Sequence, residues 1–141
     1  MTVQYIKELF VNWTKRKIRH HIYNDEKEIY FREKEIWWVA LGKNIGYEVD
    51  GKNELFERPV IIIKKYSGGM CFVLPISTQI KNPKPWYHFI LFIEGEKRAV
   101  NITQGRTISS RRLLRKKGIL DNVQFTKLVD VFLRQFGNDL K

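Results

Sequence analysis

The sequence is poor in cysteine and has no long apolar run. Cys71 is the only cysteine among 141 residues, so no disulfide can form within the chain. Together with the three histidines, Cys71 does not have the spacing of a zinc site. No apolar stretch approaches the ~20 residues of a membrane span, and Lys7 and Glu8 place charge where a secretory signal would be apolar. These absences predict a soluble, cytoplasmic protein.

The sequence also lacks the motifs of several enzyme classes. It has no P-loop, no GxGxxG and no nucleophile elbow. A metal-dependent nuclease needs converging carboxylates, and the acidic residues after residue 34 are mostly isolated. Cys71 lies in an apolar segment, which indicates a buried, inert thiol. We therefore expect no metal and no cofactor.

Positive charge is abundant. The chain has 26 Lys and Arg against 15 Asp and Glu, a net charge of +11, which favours a polyanionic partner. Arg106–Lys117 contains six cations and no acid. Such a cluster can neutralise several phosphates, although a solvated basic face is the more ordinary interpretation. Lys81 and Lys84 beside Trp86 and Tyr87 suit single-stranded nucleic acid; the alternative is a strand with one ring buried and one partly exposed.

Apolar periodicity predicts a helix at each end of the chain and strands between them. An apolar stripe predicts an amphipathic helix over about Thr2–His20, which either docks on the domain or binds a membrane surface or a partner. Asn24–Lys34 is interpreted as a linker or a second short helix, and Gly42–Glu57 as a long loop. The predicted strands are Glu35–Leu41, Pro59–Lys64, Met70–Pro75, Trp86–Phe92 and Ala99–Ile102.

Two capping signals predict helices near the C-terminus. Ser109 or Ser110 could cap a short helix through Arg115. Asp121 and Gln124 resemble a capping box that begins a second helix, and Gly137 is placed to end it. Several short strands with a terminal helix favour a small, strongly bent sheet or barrel.

Four segments resemble the MazF/PemK toxins, in the same order and with similar spacing. They are Glu35–Val39 followed by Gly46-Tyr47-Glu48, then Arg58–Ile62, then Pro75–Gln79, then Gln104–Ile108 with Arg112-Leu113. The resemblance covers residues 35–136. It divides the chain into an N-terminal helical extension, residues 1–34, and a toxin domain, residues 35–141.

The resemblance implies the toxin of a type II toxin–antitoxin system. The implied fold is mostly β with helices (α+β), an SH3-like small barrel of the CcdB/PemK type. The implied activity is metal-independent cleavage of single-stranded RNA, in which the 2′-OH attacks and leaves 2′,3′-cyclic phosphate and 5′-OH ends. The implied partners are the RNA, an acidic antitoxin and a second copy of the chain in a homodimer.

The resemblance also implies site residues. Arg58 corresponds to the active-site arginine, and its guanidinium suits phosphate. Ser77 stands where many members have a catalytic threonine, and Thr78 is the adjacent alternative, because a one-residue shift changes the face that a side chain serves. The implied RNA contacts are Glu48, Gln79, Lys81, Gln104 and Arg106. Without the resemblance, Arg58 could pair with Glu57, and Gln104 and Arg106 could simply hold a turn.

The general base is not identified by the sequence. One family branch has an arginine and an aspartate at the positions of Asn101 and Thr103, and a histidine at that of Tyr47. His88 could titrate near neutral pH, although a lone histidine in a strand is more often structural. Two alternatives therefore stay open: a non-catalytic nucleic-acid-binding or gyrase-inhibiting module on the same fold, and a basic adaptor that acts through its N-terminal helix.

Overall fold

An antiparallel sheet lies between two helices in the computed structural model, which describes residues 1–23, 29–77 and 82–137. The described elements are α1 (Val3–Ile22), β1 (Glu35–Ala40), β2 (Glu57–Ser67), β3 (Met70–Ser77), β4 (His88–Ile93), β5 (Glu96–Asn101), β6 (Arg106–Ser109), β7 (Leu113–Ile119) and α2 (Asn122–Arg134). A 3₁₀ helix, Ser110–Arg112, joins β6 to β7. The predicted α+β class is confirmed.

β3 pairs with three other strands: β2 along one edge, and β6 and then β5 along the other. The strand order is β4-β5-β3-β2-β1-β7, and β6 pairs with β3 outside this path. The first half of β3 pairs with β6, and its end, Ile76 and Ser77, pairs with β5. On its other side, β3 pairs with β2 from Ser67 opposite Met70 to Val60 opposite Pro75. The end of β3 therefore lies beside the beginning of β2.

β2 is buried on both faces, as its β-branched sequence predicts. Successive side chains of a strand point to opposite faces. Ile61 joins a cluster beneath α2 that includes Leu128 and Phe132, whereas Val60 and Ile62 join a second cluster on the other side of the sheet. A strand with apolar side chains on both faces is typical of the centre of a sheet.

α2 begins where its sequence predicts. The side chain of Asp121 accepts a hydrogen bond from the backbone N–H of Gln124 at 2.9 Å. Gln124 completes only part of the predicted capping box, because its amide bonds the Asp121 carboxylate and the backbone of Phe92. The helix ends at Arg134, and Gly137 follows with a φ of +127°, a conformation that favours glycine.

α1 docks on the sheet domain through a narrow face. Its N-terminus is capped by the Thr2 hydroxyl, which accepts from the backbone of Tyr5 at 3.1 Å. Trp13 is only 7% exposed and is the buried side chain of the helix, whereas the apolar side chains of Val3 and Ile6 are exposed. The docked interpretation is therefore confirmed, with a smaller contact than expected. Among the described residues, no helix combines the length and apolar character needed to cross a membrane.

Two predicted segments differ in the structure. The helix expected through Arg115 is wrong beyond Arg112, because Leu113 begins β7 and pairs with Val39 of β1. The expected strand from Trp86 begins two residues later, at His88, and Trp86 and Tyr87 are exposed in the preceding turn. Asn24–Lys34 lies partly outside the described residues, and residues 29–34 contain no helix.

Candidate functional site

Arg58 is held at two points where β2 begins. Its Nε donates a hydrogen bond to the backbone oxygen of Asp50 at 2.6 Å, which comes from the loop before β2. Its Nη1 donates to the backbone oxygen of Ile76 at 3.4 Å, near the end of β3. The loop and the sheet thus fix the guanidinium from opposite sides.

Most of the hydrogen-bonding capacity of Arg58 is unused. A guanidinium has five N–H donors and stays protonated in proteins. Burial lowers the pKa of Arg58, and the nearby carboxylate of Asp50 opposes this shift. Two N–H groups are engaged by the loop and the sheet, and the others have no partner among the described residues. Arg58 lines a cavity of about 210 Å³ together with Trp38, Lys52, Asn53, Glu57, Pro59 and Ile76.

Ser77 is adjacent to this arginine through β3. It is half-buried, pairs with Ala99 of β5, and follows Ile76, whose carbonyl accepts from Arg58. The structure therefore brings the two predicted catalytic residues to the same end of the sheet. Thr78, Gln79 and Lys81 lie outside the described residues.

Gln104 fastens the loop between β1 and β2. Its side-chain oxygen accepts from the backbone N–H of Val49 at 3.2 Å, and its amide donates to the carbonyl of Tyr47 at 3.2 Å. Glu48 closes a turn in the same loop by accepting from the N–H of Ile45 at 3.0 Å. Both predicted RNA-contacting residues thus have a role in positioning the loop, and RNA contact by either remains a prediction.

Arg106 lines a second cavity. This cavity, about 280 Å³, is lined by Leu41, Asn44, Glu48, Val49, Pro75, Gln104, Gly105 and Arg106. Arg106 is partly exposed, and no acidic side chain of the described residues pairs with it. A Cβ on Gly105 would come within 2.4 Å of the Phe72 ring. A side chain at position 105 would collide with this ring, so glycine allows the chain to pass close to Phe72 just before Arg106 begins β6.

Most other cations of Arg106–Lys117 are engaged within the protein. Their partners are as follows: Arg111 donates to the carbonyl of His21, Arg112 to that of Ala40, Arg115 pairs with Glu57, Lys116 pairs with Glu35, and Lys117 lies over the Trp38 ring. Burial, reinforced by the charge of Arg106, lowers the pKa of Arg112 to about 10. Arg111, Arg115 and Lys116 nevertheless remain exposed to solvent, so this part of the run forms a solvated basic face, and phosphate binding by the run stays a prediction.

The titratable groups around Arg58 are also engaged. Both oxygens of Glu57 accept from Arg115, at 2.8 and 2.9 Å; these bonds hold the pKa of Glu57 below its ordinary value against the opposing effect of burial. This pairing replaces the Arg58–Glu57 contact considered from the sequence. Asp50 pairs with Lys43 at 2.8 Å. Within the described chain, neither carboxylate is placed as a free base.

His88 has a structural contact. The ring Nδ1 of His88 accepts from the backbone N–H of Lys84 at 3.1 Å, and the backbone N–H of His88 donates to the Lys84 carbonyl at 2.7 Å. His88 begins β4, which β5 separates from Ser77. The described residues also include no group of three or more His, Cys, Asp or Glu side chains that could hold a metal ion.

The sequence could not identify the groups that hold Arg58. Both acceptors are backbone carbonyls, and every residue carries one. The side chain of Asp50 bonds the loop itself, accepting from the N–H of Asn44 at 2.5 Å. Lys52, Asn53 and Trp38 also line the Arg58 cavity without any signal in the sequence.

Comparisons with known proteins agree with this architecture. The MazF crystal structure (Form-I) from Deinococcus radiodurans superposes with a TM-score of 0.63 at 18% identity, covering 77% of this chain and 99% of that chain. An endoribonuclease in complex with its cognate antitoxin, from a mycobacterial species, gives a TM-score of 0.55 at 11% identity, covering 77% and 97%. These similarities show the fold, and they confirm the predicted MazF-like type.

No curated protein matches the chain in sequence. A family model, described as the PemK-like, MazF-like toxin of type II toxin–antitoxin systems, matches residues 32–136. This range contains the whole sheet and α2, and α1 precedes it. The match covers well over half of the chain, so the protein belongs to the PemK/MazF-like toxin family.

Proposed function

We propose that this protein is an endoribonuclease that cleaves single-stranded RNA without a metal ion. The mycobacterial structure that shares its fold is an endoribonuclease. The observation that carries the proposal is Arg58, which is held at two points beside a cavity and has further N–H groups without a partner among the described residues. A guanidinium that is preorganised before the substrate binds can stabilise the charge that develops on a phosphate during cleavage.

The proposed reaction is an internal transfer. The ribose 2′-oxygen attacks the adjacent phosphorus and loses its proton, the P–O5′ bond breaks, and the leaving oxygen gains a proton. The products are a 2′,3′-cyclic phosphate and a 5′-OH. Arg58 stabilises the charge on the phosphoryl oxygens, because its pKa is too high for a general base. Ser77, or Thr78 in its place, bonds the 2′-OH or the phosphate.

The RNA on either side of the cleaved bond is proposed to contact the second cavity and the segment after β3. Gln104, Arg106 and Glu48 lie at that cavity, and Gln79 and Lys81 follow Ser77 in the chain. Neutralisation of phosphates by cations makes such binding sensitive to salt. Specific base contacts would come from the amide of Gln104, which is already oriented by the loop.

We also propose an acidic antitoxin as the regulator, a homodimer as the working form, and the cytoplasm as the location. The mycobacterial relative was solved with its cognate antitoxin. The net charge of +11 favours an acidic protein segment as well as RNA. Residues 1–34 are proposed to be an extension of the toxin domain, since the family match begins at residue 32.

The test is cleavage of a long single-stranded RNA in excess EDTA. Wild-type protein should give discrete fragments with cyclic phosphate ends. Arg58→Ala should reduce the rate by about 10²-fold or more, as for loss of one preorganised charge-stabilising donor, and Ser77→Ala should also reduce it. Arg134→Ala is the matched control, because Arg134 is exposed on α2 and pairs with Asp130. Equal rates for Arg58→Ala and this control would refute the assignment.

A non-catalytic nucleic-acid-binding or gyrase-inhibiting module is the second candidate. The observation that favours it is that Glu57 and Asp50, the carboxylates near Arg58, are both engaged by cations. This candidate predicts a folded protein that binds RNA in a salt-dependent manner and produces no fragments. The same EDTA assay, run beside a filter-binding measurement, separates the two candidates.

A further inference from the structure

A wide groove lies beside the contact between α1 and the loop that joins β1 to β2. Its volume is about 1170 Å³, and it is lined by Tyr5, Leu9, Asn12, Lys15, Arg16 and Arg19 of the helix and by Lys43, Asp50, Gly51, Asn53, Glu54 and Phe56 of the loop. Ligand pockets for small molecules run to about 1,000 Å³. The groove is therefore large enough for a segment of a polymer.

The helical wall of the groove is positively charged. Lys15, Arg16 and Arg19 lie on one side of α1, because residues three and four apart are neighbours on a helix. None of the three pairs with an acidic side chain of the described residues. On the opposite wall, Asp50 is neutralised by Lys43 at 2.8 Å, which leaves Glu54 as the acidic side chain without such a partner. Cations thus dominate the groove.

The groove adjoins the Arg58 cavity at Asn53, which lines both spaces. Asp50 lines the groove, and its backbone oxygen accepts a hydrogen bond from the guanidinium of Arg58. A chain that leaves the Arg58 cavity past Asn53 therefore reaches the basic face of α1 next.

α1 is held firmly enough to form a wall. Trp13 packs against Phe56 with ring centroids 5.7 Å apart, and the guanidinium of Arg112 lies 5.7 Å from the Trp13 ring. Near the end of the helix, Arg111 donates to the carbonyl of His21. The helix backbone that carries the α1 cations is therefore anchored, and binding would not need to order the helix first.

We propose that this groove binds the RNA strand that flanks the cleaved phosphate, with Lys15, Arg16 and Arg19 contacting its backbone. The proposal rests on the proposed ribonuclease function and extends its binding surface to α1, which lies outside the residues matched by the family. Tyr5, half exposed at the groove, offers a ring on which a base can stack. RNA is favoured over an acidic peptide because the groove adjoins the cavity of the candidate catalytic arginine at Asn53.

The test compares two triple variants that lose the same charge. Lys15→Gln/Arg16→Gln/Arg19→Gln removes the groove cations. Lys7→Gln/Lys97→Gln/Lys127→Gln removes three cations that line none of the described cavities. Fluorescence anisotropy would measure binding of 2′-O-methyl oligouridylates, which cannot be cleaved, with lengths of about 5 and about 15 nucleotides over a salt series. Near-UV circular dichroism would confirm that Trp13 stays packed.

The groove variant should lose affinity for the long oligonucleotide alone. For three phosphate contacts on a single strand, the slope of log K against log salt should fall by about 2, a loss of up to about 100-fold near 0.1 M salt. The short oligonucleotide, which fits at the Arg58 cavity, should bind within about twofold of wild type, and the control variant should lose far less affinity for the long one.

Two results would overturn the proposal. The first is a groove variant with the same affinity for the long oligonucleotide as the control variant. If this variant also lost affinity for a labelled polyglutamate peptide, the groove would be assigned to an acidic protein segment. The second is an equal loss of affinity for the short and the long oligonucleotide. It would show that the α1 cations act at the Arg58 cavity, or only through the overall positive charge of the protein. Because the probe is not cleaved, these results are independent of whether Arg58 catalyses cleavage.

Discussion

Replacing Trp13 with alanine should strongly destabilise the protein. Trp13 is 7% exposed and packs against Phe56 and Ala40. Buried aromatic side chains cover about 150–250 Å² each, which at about 25 cal/mol per Å² corresponds to about 4–6 kcal/mol. Measured losses for tryptophan-to-alanine changes in cores are about 3–5 kcal/mol. We therefore expect the free energy of unfolding to fall by about 4 kcal/mol.

Urea denaturation and thermal melting would measure this loss. For a chain of this size, about 4 kcal/mol corresponds to a decrease in Tm of roughly 8–16 °C. Val11→Ala is the matched control, because Val11 is exposed on α1, and it should change stability by no more than about 0.5 kcal/mol. A loss below about 1 kcal/mol for Trp13→Ala would show that α1 unfolds separately and would refute the reasoning.

Two further predictions concern the loop between β1 and β2 and the ion pair of Glu57 with Arg115. Gln104→Leu removes two hydrogen bonds to the loop backbone, so trypsin should cut faster at Lys43 and Lys52 while the melting temperature falls only slightly; unchanged cleavage would contradict the role of Gln104. The bonds from Arg115 hold the pKa of Glu57 in the folded protein below 4.5. The stabilisation that this ion pair contributes is therefore present above that pH and is lost as the pH falls through the lowered pKa. The rise in unfolding free energy between about pH 3 and pH 6 should be smaller in Glu57→Gln, and an unchanged slope in urea titrations would refute this.

The sequence predicts those elements whose local signals agree with their packing. Pro59–Lys64 contains the β-branched run Val60–Ile63 and lies in β2, whose apolar side chains are buried on both faces of the sheet. The carboxylate of Asp121 satisfies an N–H group at the start of α2, and that signal is local in sequence. The N-terminal helix is likewise periodic and capped by Thr2.

β7 could not be predicted because pairing with a distant strand decides it. The sequence from Arg111 to Lys117 is rich in residues that also favour helices. In the structure, Leu113 and Arg115 lie opposite Val39 and Trp38 of β1, and this tertiary context overrides propensity. The turn before β4 is similar, since exposed Trp86 and Tyr87 look like strand residues in sequence.

The same physical reason limits what charge patterns reveal about the site. The run Arg106–Lys117 looks like one phosphate-binding cluster, but the partners that engage it lie far away in the chain: Arg111 reaches His21, and Arg115 reaches Glu57. Separation in sequence hides these contacts. Cations near the C-terminal end of a helix are favourable by themselves, so only the docking of the helix shows that Lys15, Arg16 and Arg19 line a groove.

A chain of contacts links the N-terminal helix to the candidate catalytic arginine. Gly42 has a φ of +95°, and a Cβ there would lie 2.3 Å from the Trp13 ring, so the helix packs directly on the loop backbone. The Gly42 carbonyl accepts from the N–H of Gly51 at 2.7 Å, and the preceding residue, Asp50, holds Arg58. Deleting α1 would therefore uncover Phe56 and loosen this loop as well as remove cations. Only substitutions that keep Trp13 in place can separate binding by the helix from its support of Arg58.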